Sequence, residues 1–237
     1  MKKIFYPALV AAVCGIVASN LSWAEKVSKS ADLQKNKRTA DYLYSRPLLE
    51  AMYQLGVMQD KRLGLQTSCN ANFEVKPLGT VILSTIDYPK GLPHPSKGAW
   101  LSRYQFKRCG EMKVYNTLFT TNGAGKVPTA HIYYPGSSSA GPGLIKDALP
   151  SATSDALIRA GLKDCKDVNV FDMRVSERDH DVEEGGKTIK GVWNEVWTFQ
   201  ACGKMVDTAM TFIPGDKGGG TTFTVGQLKP SDAVAKP

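Results

Sequence analysis

The sequence predicts an α+β protein arranged as a tandem duplication, in which a helix followed by a disulfide-braced antiparallel β-sheet occurs twice. Three observations carry that expectation. Two stretches about ninety residues apart are nearly the same: Gly98-Ala99-Trp100-Leu101-Ser102-Arg103-Tyr104-Gln105-Phe106-Lys107-Arg108-Cys109-Gly110 and Gly191-Val192-Trp193-Asn194-Glu195-Val196-Trp197-Thr198-Phe199-Gln200-Ala201-Cys202-Gly203. Aligned without a gap they share Gly, Trp, an aromatic, Phe and Cys-Gly, and the match continues with Met112 beside Met205 and Phe119 beside Phe212. Each stretch also follows a helical pattern that ends in Gly-Leu, Gly64-Leu65 and Gly161-Leu162, shortly before Cys69 and Cys165 respectively.

Residues 1–24 read as a secretory signal peptide. Lys2 and Lys3 precede an apolar run from Ile4 to about Ala18, and Ser22-Trp23-Ala24 offers small residues for cleavage. The short apolar core suggests bacterial export, so a periplasmic or outer-membrane-associated location is expected, with secretion as the alternative. An uncleaved membrane anchor is the rival reading, since the run lies near the lower limit for a span and the segment carries Pro7 and Asn20. Cleavage after Ala24 removes Cys14 and leaves Cys69, Cys109, Cys165 and Cys202, which in an exported protein reads as a disulfide framework. No second apolar stretch approaches transmembrane length.

Residues 25–40 are lysine-rich and read as a basic flexible linker. The first α+β repeat is expected over 41–135. Tyr42, Leu43, Leu48, Leu49, Met52, Tyr53 and Leu55 recur at three- and four-residue steps, which predicts an amphipathic helix that starts near Pro47 and stops near Gly56. Strands follow, with Trp100, Tyr104 and Phe106 on one face by the period-two rule.

Residues 136–149 read as a Gly/Ser/Pro linker, and the second repeat is expected over 150–226, with a helix that begins after Pro150-Ser151 and stops at Gly161. Val168 to Val175 and Gly191 to Cys202 are β-rich. If they pair with Cys165 opposite Cys202, the hairpin closes between Glu183 and Glu184 and Asp172 faces Glu195; the same rule for Cys69 and Cys109 centres the first hairpin on Pro89. These turn-like midpoints predict the pairs Cys69–Cys109 and Cys165–Cys202. Each closes a loop of about forty residues, worth about 4 kcal/mol in the chain-entropy description. A third and a fourth strand follow each Cys-Gly, and residues 227–237 read as a disordered tail.

The net charge of +8 favours anionic partners, whereas an exported chain has no access to intracellular nucleic acid. The three histidines stand in no spacing that a metal or a catalytic triad requires. His180, among Asp179, Asp181, Glu183 and Glu184, is the best local candidate for ligand binding, but a charged hairpin tip is normally solvated. Thr121 to Lys126 lacks the intervals of a phosphate loop. No metal, cofactor or catalytic residue is expected.

Trp100, Tyr104, Trp193 and Trp197 carry two readings, core packing under the helix of each repeat or an exposed platform for a ligand. Three functions follow. The first is a non-catalytic structural or interaction component of a bacterial envelope assembly such as a secretion apparatus. Its partners would be other envelope proteins, with an anionic surface or polysaccharide as a further candidate. The second is a glycan or small-molecule binder that uses aromatics at the lobe junction. The third is a hydrolase of an envelope polymer that uses Asp172 and Glu195.

Overall fold

The computed structural model describes residues 36–65, 73–123, 125–215 and 220–226. The signal peptide, most of the basic linker, Cys69 and the C-terminal tail lie outside these residues.

Asn36 starts the described chain by accepting the Thr39 N–H on its side chain, at 3.1 Å, which caps α1 (Lys37–Leu43). Then α2 (Arg46–Arg62) begins with proline in its first turn, where no hydrogen bond is lost. It does not stop at Gly56. That residue lies mid-helix beneath Phe106, whose ring occupies the space a Cβ would need, so the glycine serves packing. The helix ends instead at Gly64, φ +70°, with Leu65 N–H on Asp60 O at 2.9 Å. The helix of the second half ends in the same way, with Gly161 at φ +67° and Leu162 N–H on Leu157 O at 2.9 Å. The Gly-Leu phrase in the sequence is therefore a Schellman cap, used twice.

Strands β1 (Phe73–Asp87), β2 (Lys97–Arg108), β3 (Glu111–Thr120) and β4 (Thr129–Tyr133) form one antiparallel sheet in that order. After α3 (Pro142–Arg159), strands β5 (Val168–Glu184), β6 (Lys187–Ala201), β7 (Lys204–Pro214) and β8 (Thr221–Gly226) form a second sheet with the same order and directions.

The repeated Cys-Gly makes the turn between the second and third strand of each sheet. Cys109 and Cys202 have φ +42° and +45°, and each is followed by a glycine that also has positive φ. Arg108 pairs with Glu111 and Ala201 with Lys204, so these are two-residue hairpins of the type that requires positive φ at both positions. Cysteine is an unusual occupant, and the disulfide gives it a reason to be there. Cys165 and Cys202 are bonded, with Cα atoms 6.0 Å apart. Cys109 is also disulfide-bonded.

Both long hairpins close later than the cysteine midpoints suggest. The second turns at Gly185-Gly186, and the first through residues 88–96. Two features displace the midpoint: in the second half the bonded cysteines are not opposite each other, since Val168 faces Ala201 and Cys202 N donates to Asp167 O, and in both hairpins bulges add residues, chiefly to the outer strand. In consequence Asp172 faces Thr198 and Glu195 faces Val175. The expected apposition of the two carboxylates does not occur.

The helix of the second half starts at Pro142, after Gly141, eight residues ahead of the expected Pro150. Pro150 sits inside it at an exposed position, and residues 142–149 are helical instead of linker. Proline is tolerated in a first helical turn, so Pro142 is the better start, whereas Pro150 forfeits one intrahelical bond.

Helices α1 and α2 cover the inner face of the first sheet, burying Trp100, Tyr104, Phe106, Tyr115 and Phe119 with Leu43, Leu48 and Met52. Helix α3 covers the second, over Trp193, Trp197, Phe199, Met210 and Phe212. Trp100 stacks on Phe119 at 5.4 Å, and Trp193 on Phe212 at 4.9 Å. The tryptophan and phenylalanine that recur in the sequence are the same stacked pair in each half.

Candidate functional site at the lobe junction

The four aromatic candidates are interior. Trp100, Tyr104 and Trp197 are fully buried and Trp193 is 4% exposed, so they form core and present no platform. Burial raises the Tyr104 phenol well above its usual value, against the hydrogen bond that Thr117 donates. His180 is half-buried on the β5–β6 hairpin, with Nδ1 3.0 Å from Arg178 O and 3.7 Å from Glu177 Oε1. Among the described residues no three His, Cys, Asp or Glu side chains come together as metal ligands.

Glu195 is fully buried and accepts four N–H groups. Trp193 Nε1 and Ser139 N donate to Oε1 at 2.9 and 2.8 Å, Ala140 N approaches the same oxygen at 3.3 Å, and Trp197 Nε1 donates to Oε2 at 2.8 Å. Both indoles lie two residues from Glu195 on the same face of β6, so strand geometry aims all three side chains inward together. A buried carboxylate needs such partners. Arg103, from the other lobe, adds attraction; burial lowers its guanidinium from the usual value and Glu195 opposes that. In the first half Ser102 stands where Glu195 stands in the second, and Trp100 Nε1 is buried without a hydrogen-bond partner.

Around Glu195 the expected linker binds the two halves together. Gly136 N donates to Val114 O of β3 at 2.9 Å and Ser137 N to Met173 O of β5 at 2.6 Å. Asn116 Nδ2 donates to Tyr134 O and Gly136 O at 2.7 and 2.9 Å, and Arg103 Nε donates to Asn116 Oδ1 at 3.1 Å. Lys113 of β3 lies 3.7 Å above the Phe171 ring of β5. Burial lowers its ammonium while Asp172 opposes the shift; burial likewise raises Asp172, with Lys113 the largest opposing influence. Asp172 and Glu195 thus answer to different cations, Lys113 and Arg174 for the first and Arg103 for the second.

A second buried network belongs to the first half. Arg108 reaches both oxygens of fully buried Asp60 at 3.1 Å, Tyr115 donates its hydroxyl to Asp60 Oδ1, and Arg108 Nε donates to Leu65 O at 3.1 Å. This ties the C-terminal end of α2 to the sheet.

Two surface features remain. One is a cleft of about 370 Å³ between the halves, reached by the end of α2, β4, α3 and the start of β5. Its wall includes Gln59, Arg62, Tyr133, Tyr134 and Thr153, none of which the sequence pattern singles out. The other is the tip of the β5–β6 hairpin. The β6–β7 register starts at Trp193, so Lys187 to Val192 pair with β5 alone among the described residues. Residues 180–192 form a two-stranded ribbon that carries Asp181, Glu183 and Glu184 with Lys187 and Lys190, on a chain of net charge +8. Comparison with family models, with curated proteins and with solved structures gives no match.

Proposed function

We propose that this chain is a non-catalytic component of a bacterial envelope assembly, in which two tandem copies of one α+β unit form a braced scaffold for protein contacts. The observation that carries the reading is the β5–β6 ribbon, which extends past the sheet with backbone groups along both edges and acidic side chains near its tip. Such an edge suits strand addition by another protein, and its charges restrain self-association. The duplication is supported by the shared strand order, the paired Schellman caps, the Cys-Gly turns and the Trp–Phe stacks. Export to the periplasm or cell surface is supported by the signal-like N-terminus and the Cys165–Cys202 bond. No described helix is long and apolar enough to cross a membrane.

Against a hydrolase stands Glu195 itself, enclosed and already saturated with donors. The test is to purify a C-terminally tagged copy from gently solubilised native envelopes and determine its mass and neighbours. Recovery in a large complex with reproducible protein neighbours is the expected result, and recovery as a lone monomer overturns the reading.

A further inference from the structure

The cleft between the halves has the chemistry of a ligand site, independently of any assembly role. Its volume, about 370 Å³, lies within the range of small-molecule pockets. Val168, Val170 and Phe199 contribute an apolar wall, and Tyr133 and Tyr134 form an aromatic pair with ring centres 4.9 Å apart. Tyrosine rings suit ligands that have both an apolar face and hydroxyls.

Two polar observations narrow the ligand. Gln59 is 3% exposed, and its Nε2 donates to Tyr133 O at 2.8 Å, which fixes the amide orientation and leaves Oε1 as a buried acceptor with no hydrogen-bond partner. The atom has no surface open to the cleft as it stands, so a donor reaches it only after a small movement of the Gln59 side chain; an unmet buried acceptor is costly, and that contact would relieve it. Among the described residues that line the cleft, Arg62 carries the only charge, and Asn169 Oδ1 holds its Nε at 2.8 Å. A guanidinium at a wall without carboxylates selects an anion with flat, bidentate oxygens.

We propose that this cleft binds a small carboxylated saccharide, with its ring face on Tyr133 and Tyr134, a hydroxyl on Gln59 and the carboxylate on Arg62. A purely apolar ligand would leave Gln59 and Arg62 unused, and a neutral sugar would leave Arg62 unused.

Isothermal titration of the mature chain with glucuronic acid and N-acetylmuramic acid, against neutral N-acetylglucosamine, tests this. Both acids are expected to bind about tenfold or more tightly than the neutral sugar, a difference that one charge-assisted contact supplies. Arg62→Ala should erase that preference, whereas Asn169→Ala, which removes the Arg62 tether and keeps the charge, should retain most of it. Gln59→Met should weaken acid and neutral sugar alike. Absence of binding by either acid, equal affinity for acid and neutral sugar, or an unchanged preference in Arg62→Ala overturns the proposal. If Gln59→Met does not fold, the Arg62 and Asn169 variants still decide.

Discussion

Gly136 packs its Cα against the backbone of Met173, so closely that a Cβ there would overlap the Met173 nitrogen and oxygen. With φ at +91°, the position also lies in the region that side chains avoid. This contact joins the strap between the halves to β5, and it explains why a segment rich in glycine and serine acts as a brace. Gly136→Ala is expected to cost about 2–4 kcal/mol, from backbone strain together with the forced separation of strap and strand. Denaturant unfolding gives the magnitude, and small-angle scattering should show the two halves further apart in whatever remains folded.

Glu195→Gln keeps the shape of the side chain and turns one acceptor into a donor facing N–H groups. A loss of about 2–3 kcal/mol is expected, with altered tryptophan emission because Trp193 and Trp197 donate to different oxygens and one of the two indoles then faces an N–H. Ser102→Ala, at the matching place in the first half, should cost much less, since Ser102 holds no indole there.

Asp60→Ala leaves the Arg108 guanidinium buried beside an emptied site and takes the acceptor from Tyr115. Breaking a buried pair in this way is expected to cost about 3–5 kcal/mol. Hydrogen exchange should show the loss concentrated at the end of α2 and in β3.

Alkaline pH gives a separate signature. Burial, with a smaller contribution from Tyr88, pushes the Tyr42 phenol up to about 12, and burial with Tyr134 does the same for Tyr133. Folded values above the unfolded 10.0 mean that the neutral phenols favour the fold. Their contribution is complete below about pH 10 and is lost as pH rises towards 12. Tyrosinate absorbance should therefore lag that of the unfolded chain, and Tyr42→Phe should remove part of the late component without changing the early one.

Much of the fold was legible in the chain because local rules governed it. Gly64-Leu65 and Gly161-Leu162 announced helix ends, and the alternation of Trp193, Trp197 and Phe199 announced an inward face. The misreadings arose where a distant partner set the role of a residue. Gly56 looked like a helix stop because Phe106, fifty residues on, is what requires its missing side chain. Cys202 looked like the last residue of a strand because cysteine is not a turn former, yet it holds a positive φ in the turn and carries the disulfide. The disulfide joins cysteines that are offset by two residues in the ladder, and a bulge between Val170 and Asp172 adds one more; neither left a signal in sequence, and together they moved Glu195 away from Asp172. The cleft was hidden for the same reason, since Gln59, Tyr133 and Thr153 converge from three separate elements.

The most direct test of the central claim is site-specific photocrosslinking from the ribbon in living cells. A photoreactive residue replaces Lys187 or Lys190, with Glu50 on the exposed face of α2 as the control position. A discrete crosslinked envelope protein from both ribbon positions, and none from Glu50, is the predicted result. A ribbon that gives no crosslink in cells, while the protein folds and is exported normally, would contradict the account.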